Sequence, residues 1–275
     1  MQKLKFPMMI SDFDGTLVNN DGTISHMNKN AIAKYRNDGG IFVISTGRMH
    51  YGILPRAKEL GLKGLVSCCQ GAIIMDIETQ KALLEGTISN KTTVQVCEKM
   101  EELGLHIHVY GKDAYYTNMD DERLKIYEDA VRFKAVRVLD RPMSQFVKET
   151  GLCSYKIMAL VASEKCLNVI RFLSQYTFDG CTLTKSDETL VEVINASYSK
   201  GTALEFLANH FQIPTTNVIA VGDQWNDVPM IEKAGLGFAV KNADNKLKEK
   251  AIALDYTNEE GAVAKIIEKY VYAEE

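Results

Sequence analysis

No stretch of this 275-residue chain approaches the roughly 20 consecutive apolar residues that a membrane-spanning helix needs, which argues against a membrane transporter or transport ATPase. Proline is scarce, at 5 residues. With 46% apolar and 25% charged residues the chain also lacks the bias of disordered, collagen-like or low-complexity scaffolds. Neither sign of charge dominates: 32 Lys and Arg stand against 36 Asp and Glu, a formal net charge of −4, so there is no basic footprint for wrapping a nucleic acid. The six cysteines, at 68, 69, 97, 153, 166 and 181, include no Cys-x-x-Cys pair and no histidine at zinc spacing. A chain of this length needs no disulfide framework, and the six are expected to be reduced and mostly buried. His106 and His108 alternate onto one face of a predicted strand with no carboxylate or thiolate at ligand spacing, and are read as structural. The N-terminal MQKLKFPMMISDFDG reaches an acidic pair before a signal-peptide core is complete, which gives a cytoplasmic expectation.

What is present is an alternation of short apolar runs with amphipathic stretches. Phe6 to Ser11 reads as a buried strand that ends in the turn Asp12-Phe13-Asp14-Gly15-Thr16. Ser25 then opens a helix with Met27, Ala31, Ile32 and Tyr35 on one face, closed by Asp38-Gly39-Gly40. Ile41 to Ser45 is a second run, ending at Thr46-Gly47-Arg48, and a helix from about Tyr51 to Leu60 leads to a third, Leu65 to Cys68. This pattern predicts right-handed βαβ units and a parallel sheet with helices on both faces, a Rossmann-like α/β core whose ligands bind at the carboxyl ends of the strands.

From Ile73 to Leu84 a hairpin is expected around Glu78-Thr79-Gln80. The pattern then changes: helical at 90–103, paired strands at 105–117, helical at 121–133, strand at 153–161, helical at 163–176 and two further strands within 179–194. We assign residues 86–189 to an inserted α/β domain and residues 1–85 with 190–275 to the core. The alternation resumes with a helix from Lys200 to Phe211, a strand at Asn217 to Val221 and Gly222-Asp223 at its end, followed by strands near 236–240 and 251–254 and helices at 244–249 and 259–270.

Four polar features fall at predicted strand ends or a helix start: Asp12-x-Asp14, Thr46, Lys200 and Gly222-Asp223-x-x-Asn226-Asp227. Asp12 and Asp223 are remote in sequence, yet this topology delivers both to one sheet edge. Clustered there, Asp12, Asp14 and Asp223 would repel one another and resist ionisation without a compensating cation. A few hard oxygen donors suit Mg²⁺, which keeps several waters and shares itself with phosphate oxygens. A lysine at a helix N-terminus opposes the macrodipole and is better placed if an anion binds there. With the Thr46 hydroxyl it supplies the donor and the point charge that a phosphoryl group needs.

Taken in order, Asp12-Phe13-Asp14-Gly15-Thr16-Leu17, Ser45-Thr46-Gly47-Arg48, Ser199-Lys200-Gly201 and Gly222-Asp223-Gln224-Trp225-Asn226-Asp227 resemble the four motifs of the haloacid dehalogenase-like hydrolases. The insertion between the second and third motifs resembles the large α/β cap of the Cof-type sugar-phosphatase branch. The resemblance implies that Asp12 is the nucleophile, forming an aspartyl-phosphate, and that Asp14 protonates the leaving alkoxide and then activates water. It further implies that the Asp12 and Asp223 side chains and the Asp14 main-chain oxygen hold Mg²⁺, with Asn226 and Asp227 orienting them. Backbone N–H groups around Phe13 and Asp14, together with Thr46, Gly47, Arg48, Lys200 and Asn226, are the implied substrate contacts. Relatives with Asn-Gly-Ala after the third strand differ from the Gln70-Gly71-Ala72 of this chain, so no contact is carried over there.

These readings lead to a Mg²⁺-dependent phosphatase acting on a small phosphorylated metabolite, a sugar phosphate or a phosphorylated cofactor. No nucleic acid, membrane or obligate protein partner is expected. A phosphomutase on the same scaffold is the alternative. A phospho-accepting signalling module fits less well, since such domains are about half this length and lack both the Asp-x-Asp pair and an insertion.

Overall fold

The computed structural model describes residues 3–273, and the elements below are those of the described residues. In chain order they begin with β1 (Met8–Ser11), α1 (His26–Asn37), β2 (Ile41–Ile44), α2 (His50–Glu59), β3 (Leu65–Cys68), β4 (Ile73–Asp76) and β5 (Ala82–Glu85). The middle of the chain holds α3 (Asn90–Glu102), β6 (His106–Tyr110), β7 (Tyr115–Thr117), α4 (Glu122–Val131), β8 (Val136–Arg137), α5 (Met143–Thr150), β9 (Lys156–Leu160), α6 (Cys166–Leu173), β10 (Cys181–Asp187) and β11 (Leu190–Asn195). The last part supplies α7 (Lys200–His210), β12 (Val218–Gly222), α8 (Val228–Lys233), β13 (Leu236–Ala239), α9 (Asn245–Lys248), β14 (Ile252–Ala253) and α10 (Ala262–Ile266). No described helix is long and apolar enough to cross a membrane.

Two compact units emerge. The first comprises the chain up to Gly47, Ala57–Leu83 and the chain from Ser199 onward; the second comprises Arg48–Arg56 and Leu84–Tyr198. The sequence boundary gives residues from 190 to the core, whereas β11 pairs antiparallel with β9 and β10 and so lies in the second unit.

In the first unit a parallel sheet runs in the order β14-β13-β12-β1-β2. Strand β1 is buried along its whole length, as is β12, which is why both read as unbroken apolar runs rather than alternating ones. The order reverses between β1 and β12, the position at which α/β sheets open a crevice at their carboxyl ends. Strand β3 meets β2 only at the parallel bridge Ser45↔Ser67 and then turns antiparallel into β4, forming a separate sheet β3-β4-β5.

Helix α1 begins where Ser25 caps it, its side chain accepting from the Asn28 N–H at 3.1 Å. Its buried face is Asn28, Ile32 and Tyr35; Met27, expected on that face, is exposed. Asn28 takes the place because its amide is satisfied inside, donating to the Leu17 carbonyl at 3.2 Å and accepting from the Ala264 N–H at 3.0 Å.

The second unit is a six-stranded sheet, β10-β11-β9-β6-β7-β8. Strand alternation divides its faces: Ile107, Val109, Ile157, Ala159, Val191 and Val193 join an apolar cluster with Val96, Met100, Met143 and Val147 of α3 and α5. The edge strand β8 and helix α5 are additions to the expected pattern. The opposite face carries His106, His108, Tyr110, Lys156 and Glu192, all buried. Here the two histidines are structural neighbours: their Nε2 atoms lie 3.2 Å apart, and His106 Nε2 is 3.0 Å from Thr117 Oγ1. Of the cysteines, Cys68, Cys69, Cys97 and Cys166 are buried, Cys181 is half-buried and Cys153 is exposed, and all are free.

Burial lowers the pKa of both His106 and His108; Asp121 opposes this at both, and the charges of His106 and Lys156 add to it at His108. A histidine whose folded pKa is depressed contributes stability above its unfolded value of about 6.5 and loses it as the pH falls, by up to about 1.4 kcal/mol per pH unit. Urea denaturation between pH 7.5 and 5.0 is therefore expected to show a smaller loss of stability for His108→Gln than for the unsubstituted chain. Equal losses would mean that His108 does not titrate with unfolding.

Candidate active site

The site is assembled at the carboxyl ends of neighbouring parallel strands. Because Ser11 of β1 is in register with Val221 of β12, Asp12 and Asp223 emerge side by side, and the Asp12 N–H donates to the Val221 carbonyl at 2.9 Å. After Asp12 the chain folds into a tight turn in which the Phe13 carbonyl accepts from the N–H groups of Leu17 and Val18, at 3.1 and 3.0 Å. Phe13 is fully buried, so its ring belongs to the core rather than to an open site surface. Gly15 adopts φ +73°, and a Cβ there would lie 2.5 Å from Asp223 Oδ2, so the close approach of this turn to Asp223 needs glycine.

Lys200 is the first residue of α7. Ser199 caps that helix, accepting from the Thr202 N–H at 3.1 Å while its own N–H donates to Thr202 Oγ1 at 2.8 Å. The lysine is 1% exposed, and its ammonium donates to Asp12 Oδ1 and Asp227 Oδ1, each at 2.5 Å. The second oxygen of Asp227 accepts the N–H groups of Asp223 and Gln224, at 2.8 and 2.9 Å. Asp227 thus engages both oxygens in holding the Asp223 loop and the lysine. Asp223 Oδ1 accepts from Thr16 Oγ1 at 2.9 Å. Thr46, 1% exposed, follows β2 and is fixed by its N–H to the Ser67 carbonyl at 2.9 Å.

The electrostatics follow from this burial. Burial pulls the Lys200 ammonium down, but the charges of Asp12 and Asp227 outweigh it and hold its pKa above the ordinary value. Burial raises Asp12 well above the usual carboxylate range against the pull of Lys200, and pushes Asp223 up to about 7 with the charge of Asp227 adding to it. Oxygens of Asp12, Asp223 and Asp227 all lie within 4.8 Å of one another. Three carboxyl groups surround one buried ammonium, which bonds two of them, so the ionised cluster has an excess of negative charge in a largely buried place. A small divalent cation with oxygen preference fits that set, and Mg²⁺ is of this kind.

Of the residues singled out in the sequence, Asp12, Thr46, Lys200, Gly47, Asp223, Asn226 and Asp227 lie in the first unit around these strand ends. Asp14 is exposed and its carboxyl group is not part of the three-carboxylate cluster, which contains Asp227 instead. Arg48 belongs to the second unit, where its guanidinium donates to the Ala130 carbonyl at 3.0 Å. Two contributors had no role assigned from sequence. One is Thr16, which ties the first turn to Asp223; the other is Gln70, whose Oε1 accepts from Asn226 Nδ2 at 2.9 Å.

The sequence profile of the haloacid dehalogenase-like hydrolases matches residues 9–267, nearly the whole chain. This chain belongs to that family. Phosphatase YwpJ of Bacillus subtilis is 30% identical to this hydrolase over 273 residues, covering 92% of this chain and 95% of that protein. The 5-amino-6-(5-phospho-D-ribitylamino)uracil phosphatase YwtE of the same organism is 27% identical over 282 residues, covering 94% and 96%. Among solved structures, a haloacid dehalogenase-like hydrolase from B. subtilis matches with a TM-score of 0.85 at 28% identity, covering 96% of this chain and 99% of that one. A protein from Thermotoga maritima matches at 0.78 and 26%, covering 96% and 97%. With the family and its full-length relatives agreeing, this hydrolase is an enzyme of the phosphatase class.

Removing one partner of a buried ion pair leaves an uncompensated charge, at a cost of about 3 kcal/mol or more. Lys200→Met is expected to lower stability by that amount at pH 8 and by less at pH 5, where Asp12 and Asp223 take up protons more readily. Chemical denaturation at the two pH values checks this, and a loss independent of pH would show that the lysine does not neutralise these carboxylates.

Proposed function

We propose that this hydrolase cleaves phosphate monoesters of small metabolites in two displacements at Asp12. The observation that carries the reading is the convergence of Asp12, Asp223 and Asp227 on the buried Lys200 ammonium at the strand ends. Lys200 occupies one oxygen of Asp12, which stabilises its ionised form and leaves the other oxygen to attack phosphorus. As the new P–O bond forms, the bond to the leaving alkoxide breaks, and the exposed Asp14 carboxyl group gives that alkoxide a proton. Asp14 then takes a proton from water as the water oxygen attacks phosphorus and the bond to Asp12 breaks, releasing phosphate. The Thr46 hydroxyl, the Lys200 ammonium and main-chain N–H groups near Phe13 and Gly47 oppose the charge on the phosphoryl oxygens.

The Asp12 and Asp223 carboxylates and the Asp14 main-chain oxygen would hold Mg²⁺, with Asn226 and Asp227 fixing their positions. When bound, the ion supplies charge neutralisation for the cluster and Lewis-acid polarisation of the phosphoryl group. For the substrate class we take phosphorylated sugars, polyols and cofactors bearing them; a relative named for a phosphoribityl substrate supports this reading. The assignment of Arg48 to substrate binding belongs to the same proposal.

Phosphate release from a panel of phosphorylated metabolites tests the reading. Asp12→Asn, nearly isosteric but a poor nucleophile, is expected to lower kcat by at least about 10³-fold with an unchanged circular dichroism spectrum. Activity within tenfold of the unsubstituted chain would remove Asp12 from the role of nucleophile. Chelation is expected to abolish turnover and added Mg²⁺ to restore it; full activity after exhaustive chelation would rule out the ion.

A further inference from the structure

Cys69, Gln70 and Gly71 leave β3 as three successive residues in the left-handed region, with φ of 50°, 58° and 92°. Residues with a Cβ enter this region at a cost, and two in succession persist only where their surroundings fix them. Those surroundings are the loops of the site itself. The Gln70 N–H donates to the Thr46 carbonyl at 3.1 Å, tying the turn to the loop after β2. The Gln70 side chain, 1% exposed, accepts from Asn226 in the loop after β12. A Cβ on Gly47 would stand 2.7 Å from Gln70 Nε2, so the amide also lies directly against the residue after Thr46. Gly71 packs against the Ser199 carbonyl, at the start of the helix that bears Lys200, too closely for any side chain. One strained turn therefore touches the loops that carry Thr46, Lys200 and Asn226.

We propose that Gln70 is a positioning residue. Its main-chain N–H holds the Thr46 carbonyl while its side-chain amide lies against Gly47 and holds Asn226, and together these contacts fix the spacing of the groups that receive the phosphoryl moiety. The proposal rests on the phosphatase reading above for its kinetic consequence but not for its structural one. Gln70 is not a member of the three-carboxylate cluster, yet a shift of about 1 Å in the groups it positions costs up to about 10²-fold in rate. Asparagine at this position would fall one methylene short of Asn226, so the length of the side chain matters as well as its amide.

Two readouts test this. Gln70→Gly removes the side-chain link to Asn226 but keeps the main-chain one to Thr46, and relief of the left-handed strain offsets part of the cost of the lost buried hydrogen bond, so the variant is expected to fold with a modestly lowered melting temperature. Its kcat for p-nitrophenyl phosphate is expected to fall about 10- to 100-fold with KM changed less than about threefold. Asn226→Ala should show a similar loss, and the double variant a loss no greater than that of the worse single one. The second readout needs no turnover. The chain has one tryptophan, Trp225, adjacent to Asn226, and acrylamide quenching of its fluorescence is expected to rise in Gln70→Gly as the loop loosens. Should Gln70→Gly fold poorly, Gln70→Asn, which tolerates the same backbone, is expected to show both changes. Wild-type kcat, multiplying losses in the double variant, or unchanged quenching would each overturn the role. If the unsubstituted chain hydrolyses no phosphate ester, the phosphatase reading fails, and quenching alone decides the role of Gln70.

Discussion

The buried ammonium of Lys200 is the interaction on which the candidate site depends. It arrives at the start of a capped helix and joins a carboxylate from the loop after β1 to one from the loop after β12. An unpaired ammonium would not stay charged at 1% exposure, nor would Asp12 or Asp227 be stable as neighbouring anions without it. Each group is thus tolerable only because the others are present. This mutual dependence gives the strand ends one arrangement rather than several.

Around that pair the structure adds further hydrogen-bonded supports. Thr16 holds one oxygen of Asp223, Asp227 anchors the Asp223 loop through two main-chain N–H groups, and the Asn242 side chain donates to the Gly15 carbonyl at 2.8 Å. The left-handed turn at Cys69–Gly71 adds another support from a third direction. Polar groups in such a place must be satisfied almost completely, since a lost hydrogen bond there costs the full desolvation of its partner.

Much of the layout was legible beforehand because it rests on local signals. Short apolar runs followed by Asp12, Thr46 or Gly222-Asp223 mark strands that end at a site, and Ser25 and Ser199 mark the helices they cap. Helix α5 carried signals too: Pro142 precedes it, Gly151 closes it at φ 68°, and Met143 and Val147 lie on its buried face. Met27 misled because a buried asparagine with two internal partners looks, in a sequence, like a surface residue.

The sequence by itself determined which polar residues fall at the strand ends and much of the order in which strands and helices follow one another, since both depend on side-chain type and near-neighbour spacing. Tertiary structure alone decided the pairings: that Asp227 rather than the Asp14 carboxylate joins Asp12 and Asp223, that Thr16 reaches Asp223, and that Gln70 spans two loops. These are contacts between segments far apart in the chain. Their geometry is set by strand register and by the closeness of a buried backbone, quantities that no local run of residues encodes.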